Sequence, residues 1–294
     1  MCPYPKYSRR QSQGHMDWSL YNSIVNEFAE IGQQNDFTPL LTYCYMAEPF
    51  LADDLHQYVD YAQKQGVAVH LNTNASAMTA EKVDMLLETG FEGKVHISFH
   101  GATKETYERI TGLVYEESLE HTLYLIDHYN PERICIRGVD DHWGEGEKQQ
   151  WFEFWQPKGT ELEYLPPISR CGSVKRLLKG RAHEGKASRL YGCQYNHPLV
   201  EMVILFDGRA VMCCQDMGRE LIWGDVAAEG ITKVWNGTIR KEAIRKLYSG
   251  KTCDSSFLCS RCEQALGATG MVQVLIQEAW QKLKRCSGVK GSAG

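Results

Sequence analysis

Residues 67–100 read VAVHLNTNASAMTAEKVDMLLETGFEGKVHISFH. Val67 to Leu71 is an apolar, β-branched run that ends on the polar triplet Asn72-Thr73-Asn74. Thr79 is placed to cap a helix that turns Val83, Leu86 and Leu87 inward and stops at Gly90. Val95 to Phe99 is a second apolar run, interrupted by Ser98 and followed by His100. Strand, helix and strand in so short a span make a βαβ unit, whose two strands lie parallel.

The same order repeats outward from this unit. Asp17 caps a helix with Leu20, Ile24, Phe28 and Ile31 on its apolar face, ended by Gly32. Pro39 to Tyr45 reads as a buried strand, and a helix on Leu55, Tyr58, Val59 and Ala62 follows, stopped by Gly66. Downstream, helical signals run from Thr103 to about His128. Ile134 to Val139 is a strand, a helix surrounds Gln149 to Trp155, and another strand lies near Glu161 to Leu165. The expected fold is therefore α/β, a partial parallel (β/α) barrel. Chemistry in such barrels sits at the C-terminal ends of the strands. The polar residues found there are Glu48, Asn72-Thr73-Asn74, Ser98, His100 and Arg137.

The pattern breaks after about Pro167. Ser173 to Arg189 is basic and glycine-containing, as a connecting segment would be. Beyond it, Glu201 to Phe206, Asp207-Gly208 and Arg209 to Cys213 read as a β-hairpin. A helix is expected over Ile231 to Tyr248, and a last one from about Met271 to Leu283. The division is then 1–167 for the barrel, 168–190 for the connection, 191–270 for a small α+β domain and 271–294 for a final helix and tail.

The chain has 294 residues, a net charge of −5 and no membrane-length apolar run. Generic attraction to nucleic acid or to an anionic membrane is not indicated. Without an apolar leader at the start, a cytoplasmic setting is expected. There, eleven cysteines are not a disulfide framework, and closely spaced ones point to metal.

Cys259-Ser260-Arg261-Cys262 is a C-x2-C pair, a spacing that grips one metal centre from a tight turn. Cys213 ends the expected hairpin and Cys193 precedes it, so four thiolates come from one compact region. Zinc and an iron–sulfur cluster both suit such a set. Cys171 and Cys253 rank behind these four. Cys44 and Cys135 read as buried strand residues, and Cys214 should face away from Cys213, because successive strand side chains alternate.

MCPYP at 1–5, MAEPFL at 46–51, LNTNAS at 71–76 and ISFHGATKETYERITG at 97–112 come in a telling order. DGRAVMCCQD at 207–216 and WGDVAAEGITKVWNG at 223–237 complete the series. Together they resemble radical S-adenosylmethionine (SAM) enzymes with a C-terminal SPASM or Twitch domain, over nearly the whole chain to about Leu266. The resemblance implies a [4Fe–4S] cluster held by a C-x3-C-x2-C loop, with SAM on its open iron. Only Cys2 matches that loop, as its third cysteine, so the sequence is expected to be truncated at its start.

Ala47-Glu48-Pro49 resembles the family's Gly-Glu-Pro stretch at the SAM amino group. Thr73 and Asn74 resemble its polar strand end, and Ser98 the position that reaches the SAM ribose or carboxylate. Arg137 either binds the SAM carboxylate or pairs with an acidic side chain such as Asp140. Cys193, Cys213, Cys259 and Cys262 match one auxiliary [4Fe–4S] cluster. The implied activity is formation of a 5′-deoxyadenosyl radical that abstracts hydrogen from a small-molecule or peptide substrate. Electrons would come from a donor such as flavodoxin or ferredoxin. The alternatives are a non-catalytic or a zinc-stabilised binding protein that keeps the fold.

Overall fold

The protein is described by a computed structural model for residues 4–174, 177 and 188–268. Cys2, the expected helix from Met271 to Leu283 and most of the basic connecting segment lie outside the described residues. Two compact units are present. One is built on Met1–Ile168 with Leu205–Gly208 and Asp225–Ile231. The other is built on Ser169–Ile204, Arg209–Gly224 and Thr232–Gly294.

The first unit carries helices α1 (Tyr4–Tyr7), α2 (Trp18–Asn35), α3 (Leu55–Lys64), α4 (Ala80–Glu88), α5 (Lys104–Thr111), α6 (Tyr115–His128) and α7 (Glu147–Trp155). Its strands are β1 (Leu40–Tyr43), β2 (Ala68–Thr73), β3 (Val95–Ser98), β4 (Ile134–Val139) and β5 (Glu161–Leu165). They form one parallel sheet in the order β1-β2-β3-β4-β5. An order without reversal matters. Crossovers of one hand then put every helix on the same face, as in a barrel wall, and leave the other face for function.

Alternation along the strands agrees. Val69, Leu71, Val95, Ile97, Ile134 and Ile136 are buried in the helix-covered core. Burying each such side chain contributes about 1.5–3 kcal/mol. His70, Asn72, His96, Ser98, Cys135 and Arg137 alternate with them and belong to the opposite face.

Side-chain caps start three of the helices, at the expected Asp17 and Thr79 and also at Thr103. Asp17 accepts from Ser19 N at 2.8 Å, Thr79 from Lys82 N at 3.4 Å and Thr103 from Thr106 N at 3.2 Å. Three expectations need correction. Gly32 does not end its helix, which continues to Asn35. It is a close-packing position, where an added Cβ would lie 2.4 Å from Pro39 Cγ. The buried stripe of α2 is accordingly Tyr21, Ile24, Val25, Ala29 and Gly32, with Leu20, Phe28 and Ile31 only partly covered. The helical signals from Thr103 to His128 belong to two helices. Gly112, at φ 72°, closes α5 by donating its N–H to Glu108 O at 2.8 Å. Cys44 lies just past β1 and is half-buried, whereas Cys135 is fully buried within β4.

In the second region β6 (Ser188–Arg189), β7 (Gly192–Cys193), α8 (His197–Val200), β8 (Val203–Ile204), β9 (Arg209–Val211) and β10 (Ile222–Asp225) follow. Next come α9 (Val226–Glu229), α10 (Ile231–Trp235), α11 (Thr238–Tyr248), β11 (Thr252–Cys253) and β12 (Ala265–Leu266). β8 and β9 pair antiparallel, forming the expected hairpin in a shorter form. The helix expected over Ile231 to Tyr248 is broken between α10 and α11 at Asn236-Gly237. β11 pairs with β6 and β12 with β7, so the chain after the C-x2-C turn returns beside Cys193. No described helix is long and apolar enough to cross a membrane.

Candidate functional site

The sheet brings Glu48, Thr73 and Asn74 together. Glu48 caps a 3-10 turn at Pro49–Leu51 and accepts from Phe50 N at 3.2 Å. Its Oε1 also accepts from the Thr73 hydroxyl at 2.7 Å, and its Oε2 from Asn74 N at 2.7 Å. Thr73 Oγ1 in turn accepts from Ala75 N at 2.9 Å, and Asn74 Oδ1 from Ser76 N at 2.9 Å. Burial pushes the Glu48 carboxyl up from its ordinary value, while the bonds from Asn74, Thr73 and Phe50 pull it back. A carboxylate offers about four acceptor sites, so three donors leave room for one more.

Ser98 and Arg137 are register partners across β3 and β4, and Arg137 is level with Glu163 on β5. The Arg137 guanidinium pairs with the Glu163 carboxylate through Nε. Asp140 is not its partner. Asp140 accepts instead from the Tyr164 hydroxyl at 2.5 Å and from Trp143 N at 3.2 Å. His100 lies two residues beyond β3.

Nearer the start of the same strands, His96 and Cys135 are register partners on the face that carries Arg137. Ligand atoms of His96, Cys135 and Glu163 all lie within 4.8 Å of one another. Burial, helped by the Arg137 charge, drops the His96 imidazole to about 4. Burial raises the Cys135 thiol to about 11, and the Glu163 charge adds to this. Both groups are therefore neutral near pH 7. Sequence reasoning passed over His96 and Glu163. The signal was available, since polar side chains recurred at every second residue of strands that were otherwise apolar.

The second unit holds a small cavity of about 20 Å³ whose lining includes Cys171, Cys193, Cys213, Cys259 and Cys262. The four cysteines singled out by spacing thus converge, and Cys171, ranked behind them, joins them. Cys253 sits apart, with its Sγ 3.5 Å from Lys246 O. Cys214 does not line the cavity; its sulfur lies within 4.8 Å of ligand atoms of His197 and Glu201. Among the described residues nine cysteines form no disulfide.

Backbone N–H groups near three of these sulfurs favour the thiolate: those of Tyr195, His197 and Asn196 near Cys193, of Gln215 near Cys213, and of Gln264 and Ala265 near Cys262. Such N–H groups stabilise a thiolate far better than a neutral thiol. Burial pushes the Cys193, Cys213 and Cys259 thiols above their ordinary value. Thiolates here therefore require a cationic partner, and the donor set fits an iron–sulfur cluster.

Residues 193–263 match SPASM, an iron-sulfur cluster-binding domain. The chain resembles the folds of radical SAM enzymes, and the SPASM match lies toward its C-terminus. The SPASM match contains four of the five cavity cysteines and begins at Cys193, leaving Cys171 outside it.

Several solved structures have a similar fold, among them three bound to a small molecule or a peptide. BtrN in complex with AdoMet and 2-DOIA is 17% identical with a TM-score of 0.54, over 85% of this chain and 82% of BtrN. SuiB of Streptococcus suis, bound to its precursor peptide SuiA, is 12% identical with a TM-score of 0.65, over 83% of this chain and 63% of SuiB. The enzyme anSMEcpe with AdoMet and the Cp18Cys peptide is 16% identical with a TM-score of 0.59, over 89% and 82%. At these identities the likeness is one of fold. No curated protein matches the chain in sequence.

Proposed function

We propose that the chain is a radical SAM enzyme acting on a small, polar substrate or a peptide. The observation that carries this reading is the convergence of Cys193, Cys213, Cys259 and Cys262 on one cavity inside the matched SPASM region. These four residues would hold the auxiliary [4Fe–4S] cluster. Cys2 would be one of the three thiolates of the SAM-binding cluster. When bound, that cluster and SAM supply the 5′-deoxyadenosyl radical that takes a hydrogen atom from the substrate.

The chain's own residues have simpler tasks. Glu48, held by Thr73, Asn74 and Phe50, offers its remaining acceptor site to the SAM ammonium. Ser98 donates or accepts at the ribose, and Arg137 can exchange Glu163 for the SAM carboxylate. Below them, neutral His96 and Asn72 provide a polar floor that suits hydroxyl- or amide-bearing substrates. BtrN in complex with 2-DOIA and anSMEcpe with a bound peptide support a substrate of either kind. The nine described cysteines that form no disulfide suit a reducing cytoplasm, and a flavodoxin or ferredoxin would provide the electron.

The test is reductive SAM cleavage by anaerobically reconstituted protein, read as 5′-deoxyadenosine. The 294-residue chain is compared with one extended so that two added cysteines complete C-x3-C-x2-C with Cys2. Only the extended chain should cleave SAM. An iron-loaded extended chain that makes no 5′-deoxyadenosine defeats the reading, and a colourless, zinc-loaded protein replaces it with the structural-zinc alternative.

A further inference from the structure

Cys171 stands outside the matched region, yet it is only 4% exposed and lines the same cavity as the other four cysteines. Its position is built. Arg170 and Cys171 both have left-handed backbones, at φ 52° and 53°. A non-glycine residue held there carries a conformational cost that the surroundings must offset.

The surroundings that do so are the cluster loops themselves. Ser169 N donates to the Glu263 carboxylate, one residue after Cys262. Arg170 Nη1 donates to Gln215 Oε1 at 3.1 Å, two residues after Cys213. Val174 N closes the turn on Ser169 O at 2.8 Å. The turn that presents Cys171 is therefore pinned to the chain beside two of the proposed ligands. Cys171 and Cys262 are 4% and 7% exposed and line the same cavity, and the bond from Ser169 to Glu263 holds the turn beside Cys262.

We propose that Cys171 is a fifth, non-ligating thiol of the auxiliary site, whose S–H donates to the Cys262 sulfur and raises the reduction potential of a cluster bound there. This rests on the reading of Cys193, Cys213, Cys259 and Cys262 as ligands. The physical reason is charge. Reduction adds an electron to a cluster whose ligand sulfurs share the negative charge, and a hydrogen bond to one of them stabilises the reduced form more than the oxidised one. Cys171 is thus a positioning and tuning residue.

The experiment uses the anaerobically reconstituted full chain and measures iron and sulfide per chain and the midpoint potential of the auxiliary cluster. Cys171→Ala should keep the full iron content and shift the potential to more negative values. Cys171→Ser, which retains an O–H donor, should move it back toward the wild type. Iron lost in Cys171→Ala would make Cys171 a ligand and overturn the proposal. So would an unchanged potential, or a Ser variant that behaves as the Ala variant does. A wild-type chain that binds no iron–sulfur cluster removes the four-ligand reading and this proposal with it. A cluster that is present but indifferent to residue 171 removes this proposal alone.

Discussion

The Thr73 hydroxyl donates to the Glu48 carboxylate at 2.7 Å, joining the end of β2 to the turn that follows β1. Thr73→Val keeps the shape of the side chain and removes the donor. Glu48 Oε1 is then left with Phe50 N at 3.2 Å. A hydrogen bond to a charged group contributes about 1.5–3 kcal/mol, and that is the expected loss of stability in a urea titration. SAM affinity should fall in parallel, because the carboxylate loses its fixed orientation. A variant as stable as the wild type would show that the bond contributes nothing.

Four substitutions separate ligands from bystanders. Cys193→Ala, Cys213→Ala, Cys259→Ala and Cys262→Ala should each lower the iron bound per chain. Cys44→Ala and Cys253→Ala should not, since neither lines the cavity. The checks are metal analysis and the visible absorbance of the brown protein. Equal iron in all six variants would count against the cavity as the cluster site.

Arg137 and Asp140 make a paired test of the barrel site. Arg137→Gln removes the guanidinium that faces Glu163 and should weaken SAM binding by about 10- to 100-fold, the equivalent of one charge-assisted hydrogen bond. Asp140→Asn should leave SAM affinity near the wild-type value, because Asp140 is engaged with Tyr164 and Trp143. Equilibrium dialysis of SAM decides both.

His96 should leave a mark on acid stability. Its folded-state value is depressed to about 4, chiefly by burial, from an ordinary value of 6.5. The unfolded chain therefore takes up a proton near pH 6.5 while the folded protein resists until about pH 4. The stability that depends on neutral His96 is complete above pH 6.5 and is lost as the pH falls through about 4. His96→Gln should show a shallower drop in urea midpoint between pH 7 and pH 5 than the wild type. Parallel curves for the two proteins would contradict the buried, neutral imidazole.

What was legible in the sequence was mostly local. The Asp17 and Thr79 caps act within three residues of themselves, and both form as their spacing predicts. The strand order followed from repetition. What lay hidden depended on distant partners. Gly32 reads as a helix stop until Pro39 is seen folding back against it. Arg137 has an acidic residue three positions on, yet sheet register gives it Glu163, which lies in the neighbouring strand. Cys171 sits in a stretch with no periodicity, and only the packing of its turn against the loops after Cys213 and Cys262 brings it to the other thiols.

The unreversed strand order also divides the labour of mutation. Residues 69, 71, 95, 97, 134 and 136 answer to the helices, while 70, 72, 96, 98, 135 and 137 face the other way. If the sheet recognises substrate as proposed, changes at the partly exposed members of the second set would exchange one substrate for another while the helix-facing side chains, and the architecture they hold, stay as they are.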